Sequence, residues 1–197
     1  MLYSEKHKFV VVTPPKTGSH TLGKTLAPMK WLAHQHGTYS LVKKKFPEIY
    51  SDIVENFKKF FVVRNPWEHA VSSYFHKIEN YKFSIEVRND FEIDWYETFE
   101  SYLKNDLYVP QSKFTFDDPL FLYDDVILFE NLDSEIERIC DEFGIVFESA
   151  HEMNGRNHEN YFGHKYPENY QDIYTPELVE LVTNKSQKEI KQFNYKF

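Results

Sequence analysis

Several features are scarce in this chain of 197 residues, and each scarcity argues against a class of protein. The single cysteine, Cys140, cannot form an internal disulfide, which is typical of a reducing compartment. No apolar run is long enough to span a membrane, and no signal region precedes the first predicted strand, so we expect a cytoplasmic protein. The formal net charge of -8 argues against a surface for nucleic acid or an anionic membrane.

Aromatic residues are abundant instead, at 18% of the chain, and supply large apolar side chains for a core. The length favours a single domain over residues 1–197, and neither an internal repeat nor a linker interrupts it. Apolar strands alternate with amphipathic helices along the chain. This alternation predicts an α/β fold of three layers, α/β/α, with a central and mostly parallel sheet.

Hydrophobic periodicity and capping residues place the individual elements. Strands are predicted over 8–13, 60–63 and 126–129, with 30–35 as a further candidate. Helices are predicted over 19–29, from Thr38 or Ser40 to Lys45, over 47–57, 66–78, 94–105 and 132–143, and as one final helix from Thr175 to Gln192. Loops are predicted over 106–124 and 148–172. Ligands of such a fold bind beyond the carboxyl ends of the strands.

The first predicted strand leads into a loop suited to phosphate. Phe9–Val12 is a continuous apolar run, typical of a strand buried on both faces, and two prolines end it. A short loop then meets a helix start, where free backbone N–H groups point at a bound anion. Gly18 allows the backbone to approach closely, Lys16 adds a cation, and Ser19 and Thr21 add hydroxyl donors.

A second strand end repeats this arrangement. Arg64 follows the apolar run 60–63 directly, where its planar fork can grip a phosphate through two hydrogen bonds. Pro66 then opens a predicted helix, and Ser72 falls about two helical turns later. If the helix folds back over the strand end, we expect Arg64 and Ser72 to face the same anion.

The order Pro-Lys-Thr-Gly-Ser at 15–19 and the spacing of Arg64, Pro66 and Ser72 resemble the PAPS-dependent sulfotransferases. Asn-Pro-Trp at 65–67 and Val-Ser-Ser-Tyr at 71–74 resemble the carbohydrate-type branch, with its heparan and chondroitin sulfotransferases. Glu-Asn-Leu at 130–132 and the segments 174–177 and 190–197 also resemble that family. The resemblance implies a soluble sulfotransferase with a fold like that of the P-loop NTP hydrolases.

The resemblance also implies the cofactor and its contacts. PAPS would be the co-substrate, no metal would be needed, and Arg64 and Ser72 would hold the 3′-phosphate. The 5′-phosphosulfate would lie on the loop and the helix start, at Lys16, Thr17, Gly18, Ser19, His20 and Thr21. His20 stands where many members have Ser or Thr. Arg156 lies in a segment where the branch often has a Lys-Ser pair, and it is a further candidate for the cofactor.

The implied reaction moves a sulfuryl group from PAPS to an acceptor hydroxyl or amine and leaves PAP. Lys16 would neutralise the charge that develops on the leaving phosphate. A general base is needed for a hydroxyl acceptor, and histidine suits this role because its pKa lies near working pH. His36 is the first candidate and His34 the second, while a Glu, another His or the substrate itself are alternatives.

Three functions therefore compete. The first is a sulfotransferase acting on a small molecule or, preferably, on a saccharide hydroxyl. The second is a sulfotransferase-like domain that binds a nucleotide or a glycan without turnover. The third is a P-loop phosphotransferase, which the order of residues disfavours because Lys16 precedes Gly18 and no glycine stands upstream, unlike in the Walker A loop.

Overall fold

A computed structural model describes residues 1–26, 29–32, 39–87, 98–114, 123–146 and 166–197, and the predicted α/β class is confirmed. The chain divides into two compact units. The described residues of the first unit fall within Met1–Arg64 and Gln111–Gly155, and those of the second fall within Asn65–Pro110 and Arg156–Phe197. The single domain over 1–197 stays a prediction. Among the described residues, no helix combines the length and the apolarity that a membrane crossing requires.

The described residues form five strands and eight α-helices. The strands are β1 Leu2–Ser4, β2 Phe9–Val12, β3 Lys30–Trp31, β4 Lys58–Val63 and β5 Asp125–Leu128. The helices are α1 Ser19–Thr25, α2 Tyr39–Lys45, α3 Pro47–Asn56, α4 Pro66–Val87, α5 Phe99–Lys104, α6 Leu132–Phe143, α7 Pro176–Lys185 and α8 Gln187–Phe193.

All five strands belong to one sheet of the first unit, in the order β3-β1-β2-β4-β5. The prediction of a mostly parallel sheet is wrong, because β1 pairs antiparallel with both β2 and β3, while β2–β4 and β4–β5 are parallel. The cause is a hairpin at the start of the chain. Residues 2–4 precede the first predicted strand and fold back on β2, with Leu2 opposite Val11.

The core of the first unit lies around β2 and β4. Every residue of β2 is buried, as its continuous apolar run predicts. The core continues onto α1 and onto α6, which presents Ile136, Ile139 and Cys140. The predicted bounds of α6 are confirmed, and Gly144 ends the helix with φ of +63°. The predicted helix over 19–29 is too long, since α1 ends at Thr25.

The second unit is helical. Thr175 caps α7 as predicted, because its hydroxyl accepts a hydrogen bond from the Leu178 N–H. The prediction of one final helix to Gln192 is wrong. The helix is interrupted at Ser186, which ends α7 and precedes α8. Ser186 is fully buried and its hydroxyl lies 3.3 Å from the Tyr108 hydroxyl, so a tertiary contact holds the break.

Candidate functional site

The loop between β2 and α1 has an unusual backbone conformation. Lys16 and Gly18 have φ of +64° and +75°, whereas Thr17 between them does not have a positive φ. Alternation of this kind turns successive N–H groups towards one side and forms a concavity that accepts anions. Thr17 is buried, and its hydroxyl donates to the Pro14 carbonyl over 2.7 Å, which closes the loop from inside.

Gly18 is required by the loop for two reasons. Its positive φ favours glycine, and a larger side chain would have to displace the end of the Leu132 side chain. A Cβ atom at this position would lie 2.7 Å from Leu132 Cδ2 and 3.2 Å from Phe129 Cε2. The loop is therefore seated directly on the segment that follows β5.

The start of α1 carries the other residues that the sequence assigns to this loop. Ser19 and Thr21 are buried, and His20 is exposed. The His20 ring lies 6.4 Å from the ring of Trp31, at the end of β3. The helix has only seven residues, so the loop itself, rather than a long helix dipole, provides the polar surface here.

Arg64 contacts this loop. It follows the last residue of β4, and only 7% of its surface is exposed. Its Nη1 donates to the Lys16 carbonyl over 3.0 Å, and its guanidinium carbon lies 4.2 Å from the centre of the Phe129 ring. Two motifs that are 48 positions apart in the sequence therefore meet at the carboxyl ends of two neighbouring parallel strands.

Gln111 holds the backbone of Arg64. Its side-chain oxygen accepts from the Arg64 N–H over 2.8 Å, and its side-chain nitrogen donates to the Arg64 carbonyl over 2.7 Å. Gln111 is completely buried and opens a short 3-10 turn, Gln111–Phe114. Sequence reasoning missed it because it lies in the predicted loop 106–124, where no periodic pattern distinguishes one residue from another.

The remaining predicted site residues are not part of this arrangement as described. Ser72 lies in the second unit, on α4, and 7% of its surface is exposed. His34, His36 and Arg156 lie outside the described residues. Their roles stay predictions from the sequence.

Within the described ranges, no group of three or more His, Cys, Asp or Glu side chains is arranged to hold a metal ion. The loop and the Arg64 side chain that bonds to it bring together two basic residues, Lys16 and Arg64, and the hydroxyl residues Thr17, Ser19 and Thr21. No protein-family model, curated protein or solved structure matches the chain.

Proposed function

We propose that the protein is a PAPS-dependent sulfotransferase that moves a sulfuryl group from PAPS to an acceptor hydroxyl, with a carbohydrate as the acceptor, and releases PAP. The observation that carries this proposal is the 3.0 Å contact between Arg64 Nη1 and the Lys16 carbonyl. It joins the two segments that the sequence assigns to the two phosphate groups of one nucleotide. Both segments follow buried parallel strands, as expected for a fold like that of the P-loop NTP hydrolases.

Each proposed contact has a chemical reason. The amides of the loop would hold the non-bridging oxygens of the 5′-phosphosulfate, and Lys16 would neutralise the leaving phosphate. Arg64 would supply charge to the 3′-phosphate through its planar fork. Ser72 is assigned to the same phosphate on the motif spacing alone.

The proposed general base remains His36, with His34 as the second candidate. The strand before them gives indirect support. Because β3 is antiparallel to β1, and β1 to β2, the strands β3 and β2 run in the same direction. Leu32, which follows β3, therefore lies at the same end of the sheet as the loop that follows β2.

One observation also favours binding without turnover. Arg64 is almost fully buried and bonds to the loop, so it serves the loop's structure whether or not the protein catalyses a reaction. A transfer assay separates these functions. The protein would be incubated with radiolabelled PAPS and a panel of saccharide and small-molecule acceptors, and labelled product would be counted.

Lys16→Ala is the decisive variant. We expect it to lower the transfer rate about a hundredfold or more, the usual cost of removing one group that stabilises transition-state charge. Lys24→Ala is the matched control, because Lys24 is an exposed lysine of α1. PAP binding without transfer would favour the non-catalytic domain, and hydrolysis of ATP with Mg²⁺ would favour the phosphotransferase. Transfer that Lys16→Ala leaves unchanged would contradict the proposed mechanism.

A further inference from the structure

The Gln111 amide continues the sheet at a point where β4 has ended. Within a sheet, the N–H and C=O of a residue are satisfied by a neighbouring strand. Arg64 is the first residue after β4, and both of its backbone groups bond to the one side chain of Gln111, over 2.8 Å and 2.7 Å. The side chain thus replaces a strand neighbour and fixes the point from which the Arg64 side chain departs.

The other end of Arg64 is fixed in the same unit. The guanidinium lies over Phe129 and donates to the Lys16 carbonyl, and Phe129 also lies beside Gly18. A continuous series of contacts therefore runs from Gln111 through the Arg64 backbone and side chain to the loop. Each contact is within hydrogen-bond or stacking distance, and all belong to the first unit.

We propose that Gln111 is a positioning residue for the anion site, acting through Arg64 on the loop at Lys16. The identity of the ligand, PAP, rests on the proposed function. Replacing Gln111 by an apolar residue would remove the hydrogen bonds of the buried N–H and C=O of Arg64, and these groups would then need other partners. The backbone there would shift, the guanidinium would leave the Lys16 carbonyl, and the loop would lose its support.

If Gln111 only stabilises the fold, its effect on the site should not depend on the Arg64 side chain. A double-mutant cycle separates this structural role from a positioning role. Gln111 contacts only the backbone of Arg64 in these two bonds, so Arg64→Ala retains the groups that Gln111 satisfies. Gln111→Leu should therefore lower the unfolding midpoint by the same amount in the wild-type background and in the Arg64→Ala background. Its effect on the site should appear only when the guanidinium is present.

The first measurement needs no nucleotide. Hydrogen exchange of the amides at 16–19 would be compared in the wild type, Gln111→Leu, Arg64→Ala and the double variant. Loss of a buried hydrogen-bonded support should raise exchange about tenfold in each single variant, and the double variant should match Arg64→Ala. Ile139→Val, in the core of the same unit, is the control for a general loss of stability. If Gln111→Leu does not fold, Gln111→Glu replaces it, since it retains the acceptor and loses the donor.

The second measurement is the affinity for PAP by calorimetry. Gln111→Leu should weaken binding about tenfold in the wild-type background and leave it unchanged in the Arg64→Ala background. Additive effects in both measurements would overturn the inference, as would unchanged exchange at 16–19 in Gln111→Leu. A wild-type protein that does not bind PAP would overturn the proposed function instead, and the exchange data alone would then decide the role of Gln111.

Discussion

The two units bury polar side chains in different ways. In the first unit, Thr17 is buried within a loop that has two positive φ angles, Arg64 bonds to this loop, and Gln111 bonds to Arg64. In the second unit, buried polar groups bond to one another between helices. Unusual backbone conformations cluster at functional sites, whereas a satisfied polar network rigidifies a core.

Tyr108 is the centre of the network in the second unit. Its hydroxyl donates to the Pro66 carbonyl over 3.2 Å and lies 3.3 Å from both His69 Nδ1 and Ser186 Oγ. Lys185 adds a bond to the Tyr108 carbonyl over 2.9 Å. The start of α4 and the junction of α7 and α8 are thereby tied to one buried side chain.

Alkaline pH should produce the largest difference in stability between the two units. Burial raises the pKa of Tyr102, Tyr108 and Tyr174, all in the second unit, above the ordinary value of about 10. Above about pH 10 the folded unit binds more protons than the unfolded chain, so its free energy of unfolding falls as the pH rises. Each tyrosine can contribute up to about 1.4 kcal/mol per pH unit, and this contribution to stability is complete below about pH 10.

Tryptophan fluorescence would show which unit responds first. One variant would keep only Trp67, which is buried in the second unit, and another only Trp31, in the first. We expect the Trp67 signal to change at the lower pH. A change of the Trp31 signal at the same or a lower pH would contradict the difference between the two units.

Gly18→Ala should have the next largest effect. The positive φ costs about 1–2 kcal/mol for alanine, and the contact with Leu132 adds about 1–3 kcal/mol of overpacking. Gly144→Ala is the matched control in the same unit, since its φ is +63° and its Cβ would meet nothing within 4 Å. Urea unfolding should therefore show a clearly smaller loss for Gly144→Ala. Equal losses would mean that the loop is not held tightly against the segment after β5.

Tyr108→Phe tests the closed network. Removing the hydroxyl leaves buried partners unsatisfied and should lower the free energy of unfolding by about 1–3 kcal/mol. Tyr102→Phe should cost less than about 1 kcal/mol, because the Tyr102 hydroxyl has no hydrogen-bond partner in the described part of the chain, although this side chain is equally buried. Thermal unfolding of the two variants compares them directly. If they lose the same amount, the network does not stabilise the second unit.

Arg138→Met should have the smallest effect. Arg138 bonds to Asp125 and to Glu135, each over 2.8 Å, on the outside of the first unit. Its side chain is 40% exposed, so solvent screens these pairs and the loss should stay below about 1 kcal/mol. Urea unfolding at low and high salt should show that the difference in the free energy of unfolding between the wild type and Arg138→Met becomes smaller as the salt concentration rises. A loss above about 2 kcal/mol that salt does not change would show that polar contacts at the surface matter as much as those around the loop.

The sequence predicts the elements that local patterns determine. The buried runs of β2 and β4 and the bounds of α6 with its terminal Gly144 follow from hydrophobicity and capping alone. It does not predict β1, which has three residues and depends on pairing with β2 and β3. The break at Ser186 is equally hidden, because it depends on a contact with Tyr108, 78 positions away.

The candidate site likewise has one part that local patterns predict and one part that they do not. Lys16, Gly18 and Arg64 could be selected because each follows a strand end with a suitable residue type. Their contact in space, and the support from Gln111 at a separation of 47 positions, could not be predicted from local patterns. Phe129 was also unexpected as the surface on which the guanidinium lies.

The most direct test of the central claim is a calorimetric titration of PAP, beside ADP and ATP with Mg²⁺, into the wild type and Arg64→Ala. The account predicts that PAP binds more tightly than either other nucleotide, and that Arg64→Ala weakens PAP binding roughly tenfold to several hundredfold. Arg138→Ala, which removes an arginine of the same unit that bonds to Asp125 and Glu135 instead, should leave the affinity unchanged. Equal affinity for PAP and ADP, with no effect of Arg64→Ala, would contradict the account.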